Sequence, residues 1–234
     1  ASNTTDYSSR FSTAASQAYS VDTNSQNVTW ATALTSSGGS LAKSGSGTLT
    51  LSGNSTYSGA TSLAGGTLLL SGTGAINGSS GITINGSGAK FVQTSSTAVS
   101  PAVTLTQGTV DGTGTINSLT VANLAGNTVQ NGNGGTSALT FGSLTFNGAA
   151  TVNLFDTGTV TTPVISVTGA LTTTPASGQV TINASASSWS FGTFNVISYG
   201  SFGGSLSDFT QGTISGLSSR QSAALGLDTT NKFI

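Results

Sequence analysis

The sequence has no histidine, no cysteine and no methionine, and each of its six acids is aspartate, so glutamate is missing too. Without histidine, His-based triads and His metal sites are impossible. Without cysteine there are no thiolate sites and no disulfides, so the chain must rely on its core and hydrogen-bond ladders. No G-x-S-x-G elbow occurs, and no glycine precedes a lysine as a phosphate loop requires. Charge is scarce as well: 5% of residues are charged and the net charge is -1. That leaves no long-range field to attract nucleic acid or an anionic membrane. No apolar run approaches the roughly 20 residues needed to span a bilayer. With only 3 prolines and no Gly-x-y period, the 33 glycines do not describe collagen.

What is present is Thr, Ser, Gly, Val and Ile in abundance, while helix formers are few. This predicts an all-β chain. A hydrophobic content of 35% with so little charge argues against disorder. The plainest stretch is Gly45 to Gly72, where Thr48-Leu49-Thr50-Leu51 and Thr67-Leu68-Leu69-Leu70 flank a Gly/Ser/Asn-rich connection holding Tyr57. Alternation puts Leu on one face and Thr on the other. Similar triplets recur at Val28–Trp30, Ile82–Ile84, Val103–Leu105, Leu119–Val121, Leu139–Phe141, Leu144–Phe146 and Val152–Leu154, at uneven spacing. Asn-Gly pairs such as Asn77-Gly78, Asn85-Gly86 and Asn147-Gly148 supply sharp corners. Such pairs also signal hairpins, and periodicity alone leaves open both an antiparallel sandwich and stacked coils. The very short strands and frequent corners favour coils. At roughly 20 to 25 residues per coil, residues 21–154 would make about six, a rod on the order of 30 Å long.

The Gly45–Gly72 stretch resembles the autotransporter-associated β-strand repeat through Gly45, Gly47, Thr48, Leu49, Leu51, Gly53, Thr56, Tyr57, Gly59, Thr61, Gly66, Thr67 and Leu68. Ala60 stands where a second glycine is usual in that repeat. The resemblance implies a right-handed parallel β-helix displayed outside a bacterial cell. It carries no catalytic residue and no cofactor to transfer.

Taken in order, residues 1–20 predict an N-terminal cap or docking arm, because Tyr7, Phe11, Ala14, Ala15, Ala18 and Tyr19 fall on one face of a helix, albeit one weakened by Ser and Thr. The opening Ala1-Ser2-Asn3, with no leader, fits a mature exported product or a fragment boundary. Residues 21–154 predict the β-helix. Residues 155–234 are richer in aromatics and predict a C-terminal β cap, whose last residues, Lys232-Phe233-Ile234, read as an incomplete strand.

Two patterns point toward chemistry and are discounted. Asp111-Gly112-Thr113-Gly114 is a single calcium-repeat-like turn, where such sites need several in succession, and Asp111 and Asp156 read as solvated turn residues. Thr48-x-Thr50, Thr104-x-Thr106 and Thr159-x-Thr161 would make ice-binding rows only with constant register, which the uneven spacing argues against. The expectation is therefore a non-catalytic, secreted surface stalk, coat or fibre unit, without metal or cofactor, growing head-to-tail through its ends. Tyr7, Phe11 and Tyr19 are the self-association candidates at one end, and Phe202, Phe209, Phe233 and Ile234 at the other. The expected partners are copies of itself or other surface components. The alternative is an adhesin or glycan-binding module using Trp30, Tyr57 or Trp189 as platforms.

Overall fold

The computed structural model describes residues 4–132, 137–155, 163–174, 179–190, 192–219 and 221–234. Its strands are β1 (Ala18–Asp22), β2 (Val28–Trp30), β3 (Ser40–Ser44), β4 (Thr48–Leu51), β5 (Thr61–Leu63), β6 (Gly66–Leu70), β7 (Ile82–Gln93), β8 (Val103–Gly112), β9 (Thr115–Val121), β10 (Thr128–Gln130), β11 (Leu139–Phe146), β12 (Ala150–Phe155), β13 (Ile165–Thr173), β14 (Val180–Ser185), β15 (Ile197–Gly203) and β16 (Phe209–Ser215). Every pairing between them is parallel. Parallel neighbours need a crossover between them, so the chain must wind. The result is an all-β parallel solenoid, as expected, and the hairpin alternative is excluded.

The winding is visible as inward columns. On the first face Tyr19, Leu41, Thr61, Ile82, Val103, Leu119, Leu144, Leu171 and Phe202 stack in register. On the second, Val28, Leu49, Leu68, Phe91, Val110, Val129, Val152, Ile182 and Gln211 do the same. A third column holds Val99, Ile116, Phe141, Val167 and Tyr199. The central strands bury alternate residues, as in the iBiB pattern of Thr48–Leu51 and the BiBiBi pattern of Ala150–Phe155. Leu49, Leu68, Phe91, Val110, Val129, Val152 and Ile182 are all fully buried. One tier cannot bury its own inner face, so its stability depends on the tiers above and below. With tiers about 4.8 Å apart, nine of them span roughly 40 Å.

The parallel ladder does not stop near residue 154. β13, β14, β15 and β16 continue the same columns, so coils extend through Ser215 and the cap-like texture is confined to residues 216–234. The strands past residue 155 are further coils of the same solenoid, with core residues such as Val167, Leu171, Ile182 and Ile197. The N-terminal segment also departs from expectation. It contains a 3-10 turn at Ser8–Arg10 and no α-helix among its described residues. Its polar side chains are instead committed to the first coil. Asp6 accepts the Ala31 N–H at 2.9 Å, and Ser8 Oγ accepts that of Thr32 at 3.0 Å.

Corners are closed by specific polar residues. At Gly66, φ is +60° and a Cβ would run into the Gly45 and Gly47 carbonyls, so no larger residue fits. Asn127 is wholly buried: its amide donates to the Leu105, Thr106 and Ala122 carbonyls, and its Oδ1 accepts the Gly108 N–H at 3.1 Å.

Candidate functional site

The buried ionisable groups among the described residues are held by hydrogen bonds or ion pairs. The Lys43 side chain, on the inward phase of β3, is 1% exposed. Its ammonium donates to Thr23 Oγ1 (3.1 Å) and to the carbonyls of Ser44 (3.2 Å), Gly45 (3.1 Å) and Gly65 (2.9 Å). Burial holds it below the usual lysine range, partly opposed by the charge of Asp22. Asp111 is buried rather than solvated, correcting the sequence expectation. Stacking places Lys90 one tier away, where it pairs with Asp111, while Gln130 donates to the same carboxylate at 2.8 Å from the tier beyond. Asp208 is likewise buried, accepting from Thr173 Oγ1 (2.6 Å) and the Ser205 N–H (2.7 Å). Asp156 lies outside the described residues. Among the described residues, no group of three or more His, Cys, Asp or Glu is placed to hold a metal ion.

Of the threonines named from the sequence, Thr104 stands in a continuous row, whereas Thr50 stacks on Leu69 and the row of Thr48 and Thr67 is broken by Lys90. Thr83, Thr104, Thr120, Thr145 and Thr172 form one row. Thr109, Thr128, Thr151, Thr181 and Thr210 form another. Within these two rows, corners of different length absorb the uneven spacing, which sequence counting mistook for loss of register. Thr159 and Thr161 lie outside the described residues.

The two ends remain as the candidate site. At the N-terminal end, among the described residues, β1 pairs only β3 and β2 pairs only β4. Phe11 is half-buried there, 5.9 Å from Tyr19 and 4.7 Å edge-on to Trp30 by ring centroids. Tyr19 is a core residue whose hydroxyl donates to the Ser12 carbonyl at 2.9 Å. Tyr7 is exposed, with the Arg10 guanidinium 5.8 Å from its ring centre. The structure therefore brings Phe11 and Tyr19 together and leaves Tyr7 outside.

At the other end, β16 pairs β14 and has no second strand partner among the described residues. Its outer residues are uncharged. Gln211 terminates the second column as a polar residue after eight apolar ones. β15 is treated differently. The chain returns antiparallel along it, with Ile234 and Ile197 exchanging hydrogen bonds at 2.9 and 3.2 Å and Tyr199 donating to the Lys232 carbonyl at 3.1 Å. Phe233 bridges Ser198. Lys232-Phe233-Ile234, expected from the sequence to begin a strand, instead make an isolated antiparallel bridge to β15. Among the candidates, Phe209 and Ile234 are buried, Phe202 and Phe233 half-buried. Phe202 sits 5.6 Å from Tyr199 and 5.9 Å from Phe209 by ring centroids.

Between this returning segment and the last coil lies a cavity of about 550 Å³, lined by residues including Ile182, Ala184, Trp189, Phe194, Ile214 and Ile234. Sequence reading missed it, because nothing in the residue pattern shows where stacking leaves space. Of the three platform aromatics, Trp30 and Tyr57 are core residues. Trp189 stands beside the cavity, edge-on to Phe194 at 4.9 Å, with its indole N–H donated to the Ser215 carbonyl at 2.7 Å.

Comparison with known families supports the repeat. Residues 41–70 match the model of a family described as passenger-associated-transport-repeat. These residues run from β3 to β6 and contain the Lys43 cage and the Gly45, Gly65 and Gly66 corner. No curated protein and no solved structure matches the chain.

Proposed function

From the premise of a passenger-type repeat built into a parallel β-solenoid, we propose that this chain is a secreted, non-catalytic surface rod that elongates by adding copies end to end. The observation that carries the reading is the open, uncharged edge of β16, matched at the opposite end by strands paired on one side only. An unpaired strand edge is a template for another strand. Joining unlike ends of one chain is a heterologous contact, which yields open filaments rather than closed rings. The low net charge removes repulsion between copies. In this reading neither nucleic acid nor membrane insertion plays a part.

Light scattering and negative-stain microscopy over a concentration series test it. The expected result is rods about 40 Å long at low concentration and end-to-end filaments at high concentration. Single particles of constant size throughout the series would sink the proposal. An adhesin or glycan-binding module is the other reading, favoured by the Trp189–Phe194 pair beside an open cavity. Specific binding on a glycan array, abolished by Trp189→Ala, would select it.

A further inference from the structure

We propose that Asp228–Ile234 is a displaceable strap that competes with a second copy of the chain for the same edge of β15. This rests on the head-to-tail reading above and adds a gate to it. A parallel addition must extend all three faces of the solenoid. The second face offers the open edge of β16, but on the third face the strap already lies against Val196–Tyr199. Val196, Ile197 and Tyr199 donate to strap carbonyls at 3.0, 3.2 and 3.1 Å, and Ile234 donates back to the Ile197 carbonyl at 2.9 Å. The strap runs antiparallel, whereas every strand pair of the solenoid is parallel, so it cannot serve as a further coil. It and an incoming coil are mutually exclusive on this edge.

The strap is lightly held. Ile234 is its one buried residue and Phe233 its one half-buried residue; Asp228 to Lys232 are exposed. The Asp228 carboxylate organises the turn, accepting from the Thr230 and Asn231 N–H groups at 3.0 and 2.8 Å and from Asn231 Nδ2 at 2.8 Å. The cavity beside it deprives it of packed core. Segments with few buried apolar contacts open at a small fraction of the global unfolding free energy.

The test uses the natural absence of cysteine. Ser198 and Phe233 face each other in an antiparallel bridge next to the hydrogen-bonded Ile197–Ile234 pair. Such a non-hydrogen-bonded site suits a disulfide. In the Ser198→Cys/Phe233→Cys chain, oxidation locks the strap and reduction frees it. Elongation rates are compared by light scattering, with Ile234→Asp as a second way of releasing the strap. The expected result is elongation at least about 10-fold faster in the reduced chain and in Ile234→Asp than in the oxidised chain, as for opening of a low-stability segment. Equal elongation of oxidised and reduced chains would overturn the gate and leave end-to-end growth standing. No elongation in any of the three would remove both. Native-state hydrogen exchange gives a readout independent of growth: the Ile197, Tyr199 and Ile234 amides should exchange about 100-fold faster than those of β13. Equal protection would show that the strap does not open, and would overturn the proposal.

Discussion

Replacing Lys43 by methionine sets two terms of opposite sign against each other. Methionine keeps most of the side-chain length but removes an ammonium that donates to four oxygens. The Ser44 carbonyl retains the Thr23 N–H as a donor at 3.2 Å. The Gly45 and Gly65 carbonyls lose the Lys43 ammonium, and an unsatisfied buried polar group costs about 1–3 kcal/mol. Both glycines are half-buried, so water recovers part of this and the lower end applies. Against it stands relief from burying a charge, which in some proteins makes a hydrophobic replacement stabilising. The net expectation is destabilisation by about 1 kcal/mol, read as a lowered free energy in equilibrium urea unfolding. pH gives a second signature. Because burial lowers the folded-state value below 10.5, the unfolded chain binds this proton more tightly than the folded one in the window between the two. Stability attributable to Lys43 therefore rises as pH climbs through that window, and the Lys43→Met chain lacks that rise. A Lys43→Met chain equal to or more stable than the parent at pH 7 would refute the view that the carbonyl cage requires the ammonium.

The same geometry sets three further outcomes. Gly66→Ala forces a Cβ into two backbone carbonyls at positive φ and should cost at least about 2 kcal/mol, visible in the same unfolding assay; a loss below about 0.5 kcal/mol would contradict the corner geometry. Asn127→Ala leaves the Gly108 N–H and three carbonyls without their side-chain partner, with an expected loss of about 2–3 kcal/mol. The Asp228 carboxyl is held below its usual 3.8 by the Asn231 and Thr230 hydrogen bonds, so the turn it organises is intact above that value and lost as pH falls through the lower, folded-state one. Amide shifts of Thr230 and Asn231 should therefore titrate with a midpoint under 3.8, and a midpoint at or above 3.8 would show that those bonds are not made.

The fold was legible where local pattern and global stacking agree. The alternation in Thr48–Leu51 and Thr67–Leu70 places Leu49, Leu51, Leu68 and Leu70 in the core, where they are found. The same alternation, extended one strand earlier through Leu41-Ala42-Lys43, puts Lys43 on the inward phase, where the structure holds it. Other features belong to tiers that are distant in sequence. Thr104 and Thr120 share a row, as do Thr145 and Thr172, although the intervening corners differ in length. Lys90 finds Asp111 only because coils superpose them. The helical reading of residues 1–20 failed because the spacing of Tyr7, Phe11 and Tyr19 was weighed without the first coil, which draws Tyr19 into β1 and lays Phe11 over Trp30. The end cavity and strap were beyond sequence reading, since they depend on how the last coil is left unfilled.

Spin-label distances test the parallel stacking most directly. Cysteine pairs Ser62/Thr104, Ser62/Thr145 and Ser62/Thr172 sit on one outward row, two, four and five tiers apart. With tiers about 4.8 Å apart, the label separations should increase steadily to roughly 24 Å at five tiers, far short of the span of an extended chain of that length. Separations that fail to rise through this series, or that shorten at Thr172 as a chain folded back on itself would require, would contradict the solenoid and with it the rod built upon it.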